Sequence, residues 1–264
     1  MSKRFLPGLR LHPRLRNVFA AVCAAALVVT SSSSEGAITT APVAGGPQGA
    51  GACAAQALAA GTSGTVATFR AFGDCEIARR QATLSALISA VDGSSTLTAA
   101  DRAALTTQID GASSGLAALG TTIDAQTRLP ALKLEIVQID TRWRVYLLDA
   151  PKVYLVAAAD GVLALQTSFA QAAADLADQI ATAQSEGKNV TAATAGLASM
   201  NAEVGAAMSL AAPLPEQLLG LTVAQLSAGT AGPALSAARA ALISARVHLQ
   251  AAVKYGRAVI VALQ

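Results

Sequence analysis

Three aspartates come nearest to an acid–base constellation in this chain. Asp160, Asp175 and Asp178 fall within about 60° of one another on a helix advancing 100° per residue, a spacing that could gather carboxylates for proton transfer. That direction opposes the apolar stripe Val162, Phe169 and Leu176, so the sequence assigns all three to solvent. His248 could serve as a general base, but its wheel position opposes Leu242 and Leu249 and reads as surface. No nucleophile elbow, HExxH, P-loop or Rossmann glycine pattern is present. No catalytic residue and no cofactor site is expected. Asn189-Val190-Thr191 matches a glycosylation sequon and serves equally well as a loop leading into a helix.

The cysteines carry compartment information instead. Residues 1–17 hold Lys3, Arg4, Arg10, Arg14 and Arg16 without an acid, ahead of the apolar run Val18 to Val29 and the serines 31–34. Basic start, short apolar run and small residues are the anatomy of a secretory signal peptide over 1–34; as a membrane span the run is too short. Cleavage near Ser34 removes Cys23 and leaves Cys53 and Cys75, the minimum set for a disulfide in an exported chain. Closing that loop of about 23 residues would stabilise by roughly 3 kcal/mol in the chain-entropy model. A metal site is not expected, because His248 is the one histidine left after export and no CxxC spacing occurs.

Export also reverses the charge. The full chain of 264 residues is +3, but the cut takes five of its 19 basic residues and none of its 16 acids, leaving the mature chain near −2. A general affinity for nucleic acid therefore has no support. What remains is segregation. From Gln217 onward there is no acid, whereas Arg239, Arg246, Lys254 and Arg257 add four positive charges; residues 160–216 hold six acids against Lys188. The arginines flank the Leu235/Leu242/Leu249/Val253/Ile260 stripe. The expected arrangement is pairing with acids on adjoining helices. The alternative is an exposed interaction strip for an anionic polymer or lipid.

The elements that must position these groups are helical. The chain is rich in alanine and only 3% aromatic, and no segment alternates as a surface strand should. Residues 35–66 read as a Gly/Pro/Ala-rich linker, with 52–60 able to form a short alanine helix. A helical bundle domain is expected over 67–264. Its first helix ends at Asp92-Gly93 with Ile77, Leu84, Leu87, Ile88 and Val91 inward. Thr98 and Asp101 make a capping-box-like start to the second, whose heptad seam is Leu105, Ile109, Ala112, Leu116, Leu119 and Ile123. Gly111, Gly115 and Gly120 weaken that helix intrinsically and imply close packing on a neighbour. The third opens at Pro130 with the stripe Leu132, Ile136, Ile139, Trp143 and Leu147, and Pro151 ends or kinks it. The fourth reaches about 186 with Leu155, Val162, Phe169 and Leu176 at sevens. The fifth carries Leu197, Val204 and Met208, and the sixth runs from Pro233 nearly to Gln264.

Cys75-Glu76-Ile77-Ala78-Arg79-Arg80-Gln81-Ala82-Thr83-Leu84, Leu97-Thr98-Ala99-Ala100-Asp101-Arg102, and Arg144-Val145-Tyr146-Leu147-Leu148 with Pro151-Lys152 and Ala158-Ala159-Asp160 give the chain a likeness. It resembles alanine-rich secreted helical proteins of actinobacteria. The resemblance implies an exported helical protein and transfers no catalytic residue.

The expected fold is all-α: an elongated, antiparallel, coiled-coil-like bundle of about six helices. The expected function is a non-enzymatic interaction or structural protein, secreted or held in the cell envelope. Its partner would be an envelope protein, polymer or lipid, with no nucleic acid and no membrane span in the mature chain. The alternative is a carrier of a small apolar or anionic ligand in a groove around Trp143, Tyr146, Pro151 and Tyr154. An envelope hydrolase is the third reading.

Overall fold

The computed structural model describes residues 51–264. The signal peptide expected over 1–34, Cys23 within it, and the linker as far as residue 50 lie outside the described residues. Among the described residues the fold is all-α, without a strand. The six expected helices are present: α2 Val66–Gly93, α3 Ala99–Ala125, α4 Leu129–Thr141, α5 Ala150–Ser185, α6 Thr191–Ala211 and α9 Ala231–Ala262. Three short ones join them: α1 Ala54–Ser63, α7 Leu214–Leu219 and α8 Val223–Ser227. A π-helical turn spans Val145–Asp149.

The described chain divides into two compact units, one of residues 51–160 with 214–239, the other of Gly161–Pro213 with Ala240–Gln264. In the first, α2 and α3 are antiparallel neighbours. Arg70 Nη2 donates to the Gln126 carbonyl at 2.7 Å, Gln81 Nε2 to Ser113 O at 2.6 Å, and Arg102 to Val91, Asp92 and Ser94 carbonyls at the end of α2. The α3 seam is as read from the heptads, all six positions being buried. Ile77, Leu84, Leu87 and Val91 of α2 are buried, as are Leu132 and Ile139 of α4.

α1 lies inside the stretch read as linker. Cys53 and Cys75 form a disulfide, with Cα atoms 5.8 Å apart. Thr65 then starts α2, its side chain accepting the Thr68 N–H while Thr68 Oγ1 accepts the Thr65 N–H. A short alanine helix is marginal by itself, and the covalent bond from Cys53, just before it, ties it to α2 at Cys75.

The second unit is a coiled-coil-like packing of α6, the later part of α5 and the later part of α9. Phe169, Leu176 and Ala183 repeat at sevens, as do Ala193, Met200 and Ala207; Ala245, Leu249, Ala252 and Val259 continue the α9 seam. Leu197, Val204 and Met208, the apolar residues read on the fifth helix, are partly buried and pack against this seam. Alanine fills many of these buried positions and, with no bulk beyond Cβ, suits closely packed helices. Gly196 serves the same end: a methyl there would lie 2.9 Å from Val259 Cγ2.

By length and composition the run Leu129–Ser185 could cross a membrane: its most apolar window has a mean hydropathy of 1.4, and 28% of that window is buried within the fold. The run is interrupted by the π-turn and includes the buried polar side chains Lys152 and Asp160.

Candidate functional site

The densest polar cluster joins α2 to the segment between α4 and α5. The helical path stops at Thr141, and the chain re-enters a helix through the five-residue π-turn. Pro151 comes just after the π-turn, whose last bond runs from the Ala150 N–H to the Val145 carbonyl. The break expected at Pro151 therefore comes earlier. The π-turn holds extra residues per turn and shifts the helical phase. Val145 and Leu148 consequently point inward, while Leu147, expected in the stripe, is 57% exposed.

Arg80 is buried at the centre of this cluster. Its Nη1 pairs with Glu76 and its Nη2 with Asp140, while Nε donates to the Trp143 carbonyl at 3.4 Å. Arg79 Nη2 meets the same Glu76 oxygen at 2.7 Å and lies over the Tyr146 ring, 4.7 Å from its centroid. Thr83 Oγ1 donates to the Tyr146 hydroxyl at 3.4 Å. Burial disfavours a charged Glu76, yet the hydrogen bonds and charges of Arg79 and Arg80 outweigh it and hold the carboxyl below its ordinary range. The Trp143 ring lies directly on Gly115 of α3. Thus Trp143 and Tyr146, candidate lining of a groove, spend their faces on Gly115 and the arginines. Pro151 and Tyr154 are half-buried on α5, where burial pushes the Tyr154 hydroxyl up.

A second polar group pins the short α7–α8 region. Lys152 Nζ donates to Gln108 Oε1 at 2.7 Å and to the Leu221 carbonyl at 2.8 Å; Gln108 Nε2 donates to Leu219 O at 3.1 Å. Burial lowers the Lys152 pKa, and Asp149 opposes that shift.

Asp160 corrects the expectation of a solvated carboxylate. It is 1% exposed and accepts the Thr98 N–H through Oδ2 at 2.9 Å, at the start of α3. Thr98 Oγ1 also accepts the Asp101 N–H at 3.1 Å. Burial raises the Asp160 pKa, the Thr98 N–H lowers it, and neighbouring Asp101 raises it again. Asp175 is half-buried and Asp178 exposed, so the three do not converge. The buried positions of α5 change phase between 160 and 169, from Val153, Val156, Ala159 and Asp160 to Phe169, Ala172 and Leu176. Extrapolating one stripe through Val162 missed this; Asp160 lies four residues after Val156 and seven after Val153, a signal the sequence did contain.

His248 pairs with Glu203 of α6, Nδ1 to Oε2 at 2.6 Å. Arg239, Arg246 and Lys254 make no ion pair among the described residues, contrary to the arrangement expected for them. Arg239, Lys254 and Arg257 are exposed, and Arg246 is half-buried with its Nε lacking a hydrogen-bond partner. Among the described residues no group of three or more His, Cys, Asp or Glu side chains could hold a metal ion.

Comparison of the chain with protein-family models, curated proteins and solved structures returns no match. The chemistry of the clusters has to speak for itself. Arg80, Lys152 and Asp160 each reach from one helix to a backbone group near the end of another, which fits positioning of helices.

Proposed function

We propose that this is an exported, non-enzymatic helical protein of the cell envelope or extracellular space, acting by binding partners on its helical surface. The observation that carries the reading is the Cys53–Cys75 disulfide. Such bonds persist in oxidising compartments, and here the bond follows a basic, then apolar leader of signal-peptide type. Loss of Cys23 with that leader would leave no unmatched thiol.

The non-enzymatic part is supported by what the polar side chains do. Arg80 is engaged by two carboxylates and a carbonyl, Lys152 by a carbonyl and an amide, and Asp160 by an amide N–H. The likeness to alanine-rich secreted actinobacterial proteins agrees with the same role. The protein then meets partners through exposed helix faces, in aqueous surroundings, with no span crossing the bilayer.

The test is retention on isolated envelope. Labelled, oxidised protein should co-sediment with envelope from its producing cell saturably, while circular dichroism stays helical. Unsaturable or absent retention would contradict an envelope interaction role.

A further inference from the structure

We propose that the outward face of α9, within the unit of 161–213 and 240–264, is a docking surface for an anionic lipid bilayer. α9 is apolar on two sides. One side, from Leu242 through Ala245, Leu249, Ala252, Val259 and Ile260, is buried in the core. The other carries Ile243, Val247 and Val261, which are 52%, 57% and 68% exposed. At 100° per residue these three and Lys254 fall within about 40° of one another, and Arg246 lies about 60° to one side. Tyr255 is also exposed, at the opposite margin.

The side-chain charge on this face has one sign. No acid occurs from Gln217 to Gln264. Arg246 and Lys254 form no ion pair or hydrogen bond among the described residues, and Glu203 of the adjoining α6 is taken by His248. The acids of this unit, Asp175, Asp178, Glu186 and Glu203, all lie on α5, α6 or the turn between them.

Charge and apolarity together select the occupant. A soluble polyanion would satisfy the cations but leave Ile243, Val247 and Val261 in water. A second copy docked by this same face would bring Lys254 and Arg246 against their own kind with no acid to receive them. A bilayer interface accepts both parts: phosphates meet the cations, and the acyl boundary takes the aliphatic side chains. Attachment would be peripheral and salt-sensitive, each basic side chain strengthening it about fivefold on an anionic surface.

This inference rests on the envelope reading in one respect, that export brings the protein to such a surface. The probe is sedimentation of the oxidised protein, as its cell processes it, with vesicles of phosphatidylcholine alone or mixed with phosphatidylglycerol. Binding is expected to the mixed vesicles only, with release in high salt. Arg246→Glu with Lys254→Glu should weaken it by more than about tenfold, and Ile243→Ser with Val247→Ser should weaken it at unchanged helicity. Lys188→Glu, away from this face, should bind as the unaltered protein does. Equal binding to neutral vesicles, no binding in low salt, or indifference to both double substitutions would overturn the proposal. So would a dimer, seen by sedimentation velocity, that the same substitutions dissolve. Retention on native envelope without vesicle binding would leave the envelope reading standing while this one falls.

Discussion

Gly115 shows how one missing side chain organises an interface. Heptad spacing alone placed its neighbours Ala112, Leu116 and Leu119 inward, and the glycine's helix-weakening character implied a close neighbour. The neighbour is the Trp143 ring, which any Cβ at 115 would overlap. Gly115→Ala should therefore destabilise by about 1–2 kcal/mol, overpacking outweighing the gain in helix propensity. Chemical denaturation measures the loss, and emission from the chain's one tryptophan should shift as the ring is displaced. Asp160 makes a different demand. Its pKa is raised, so the folded state holds a proton more tightly than the unfolded chain. The burial cost therefore applies at neutral pH and is relieved as pH falls through the folded pKa towards the ordinary carboxylate range. Asp160→Asn keeps an acceptor for Thr98 without the charge. In urea titrations it should match or exceed the unaltered protein at neutral pH, and the difference should shrink on acidification. Asp160→Ala orphans the Thr98 N–H and should lose about 1–2 kcal/mol in acid, and less at neutral pH, where it also removes the buried charge.

At the scale of elements, helix identity and the α3 seam were readable because 3.6-residue periodicity, Thr98 capping and Pro130 all pointed the same way. Phase changes were not. The π-turn at Val145–Asp149 exchanges Leu147 for Val145 and Leu148, and nothing in residue type marks an extra residue in a turn. On α6 the large side chains Leu197, Val204 and Met208 draw attention, yet the buried positions are Ala193, Met200, Ala207 and Ala211. Of the candidate groove, the aromatic residues and the helical break were visible in sequence. Their covering by Arg79, Arg80 and Gly115 depends on partners more than 20 residues away, which local pattern cannot supply. Lys152 is likewise invisible as a brace until α7 and α8 are placed. Lys152→Met should leave the Leu221 carbonyl and Gln108 Oε1 without their donor, costing about 2 kcal/mol. Hydrogen exchange should rise first at 214–227, before α2 and α3 loosen; uniform protection would count against the brace.

For the whole chain, small seams and long polar braces belong together. Alanine lets helices approach closely but buries little area per residue, so each seam contributes less than one of leucine. Arg80, Arg102, Gln108 and Lys152 add directional contacts at helix ends, and the disulfide adds a covalent one. Such a bond persists in oxidising compartments, in agreement with the export proposed above. Five of the 19 basic side chains lie within residues 1–17, and α9 carries Arg239, Arg246, Lys254 and Arg257 without an acid. The most direct measurement counts thiols in the native protein, by maleimide labelling and mass spectrometry of cell fractions. The account predicts protein in the envelope or medium that begins after about residue 34, with no free thiol before reduction and two after it. Full-length protein in the cytosol with three free thiols would contradict it.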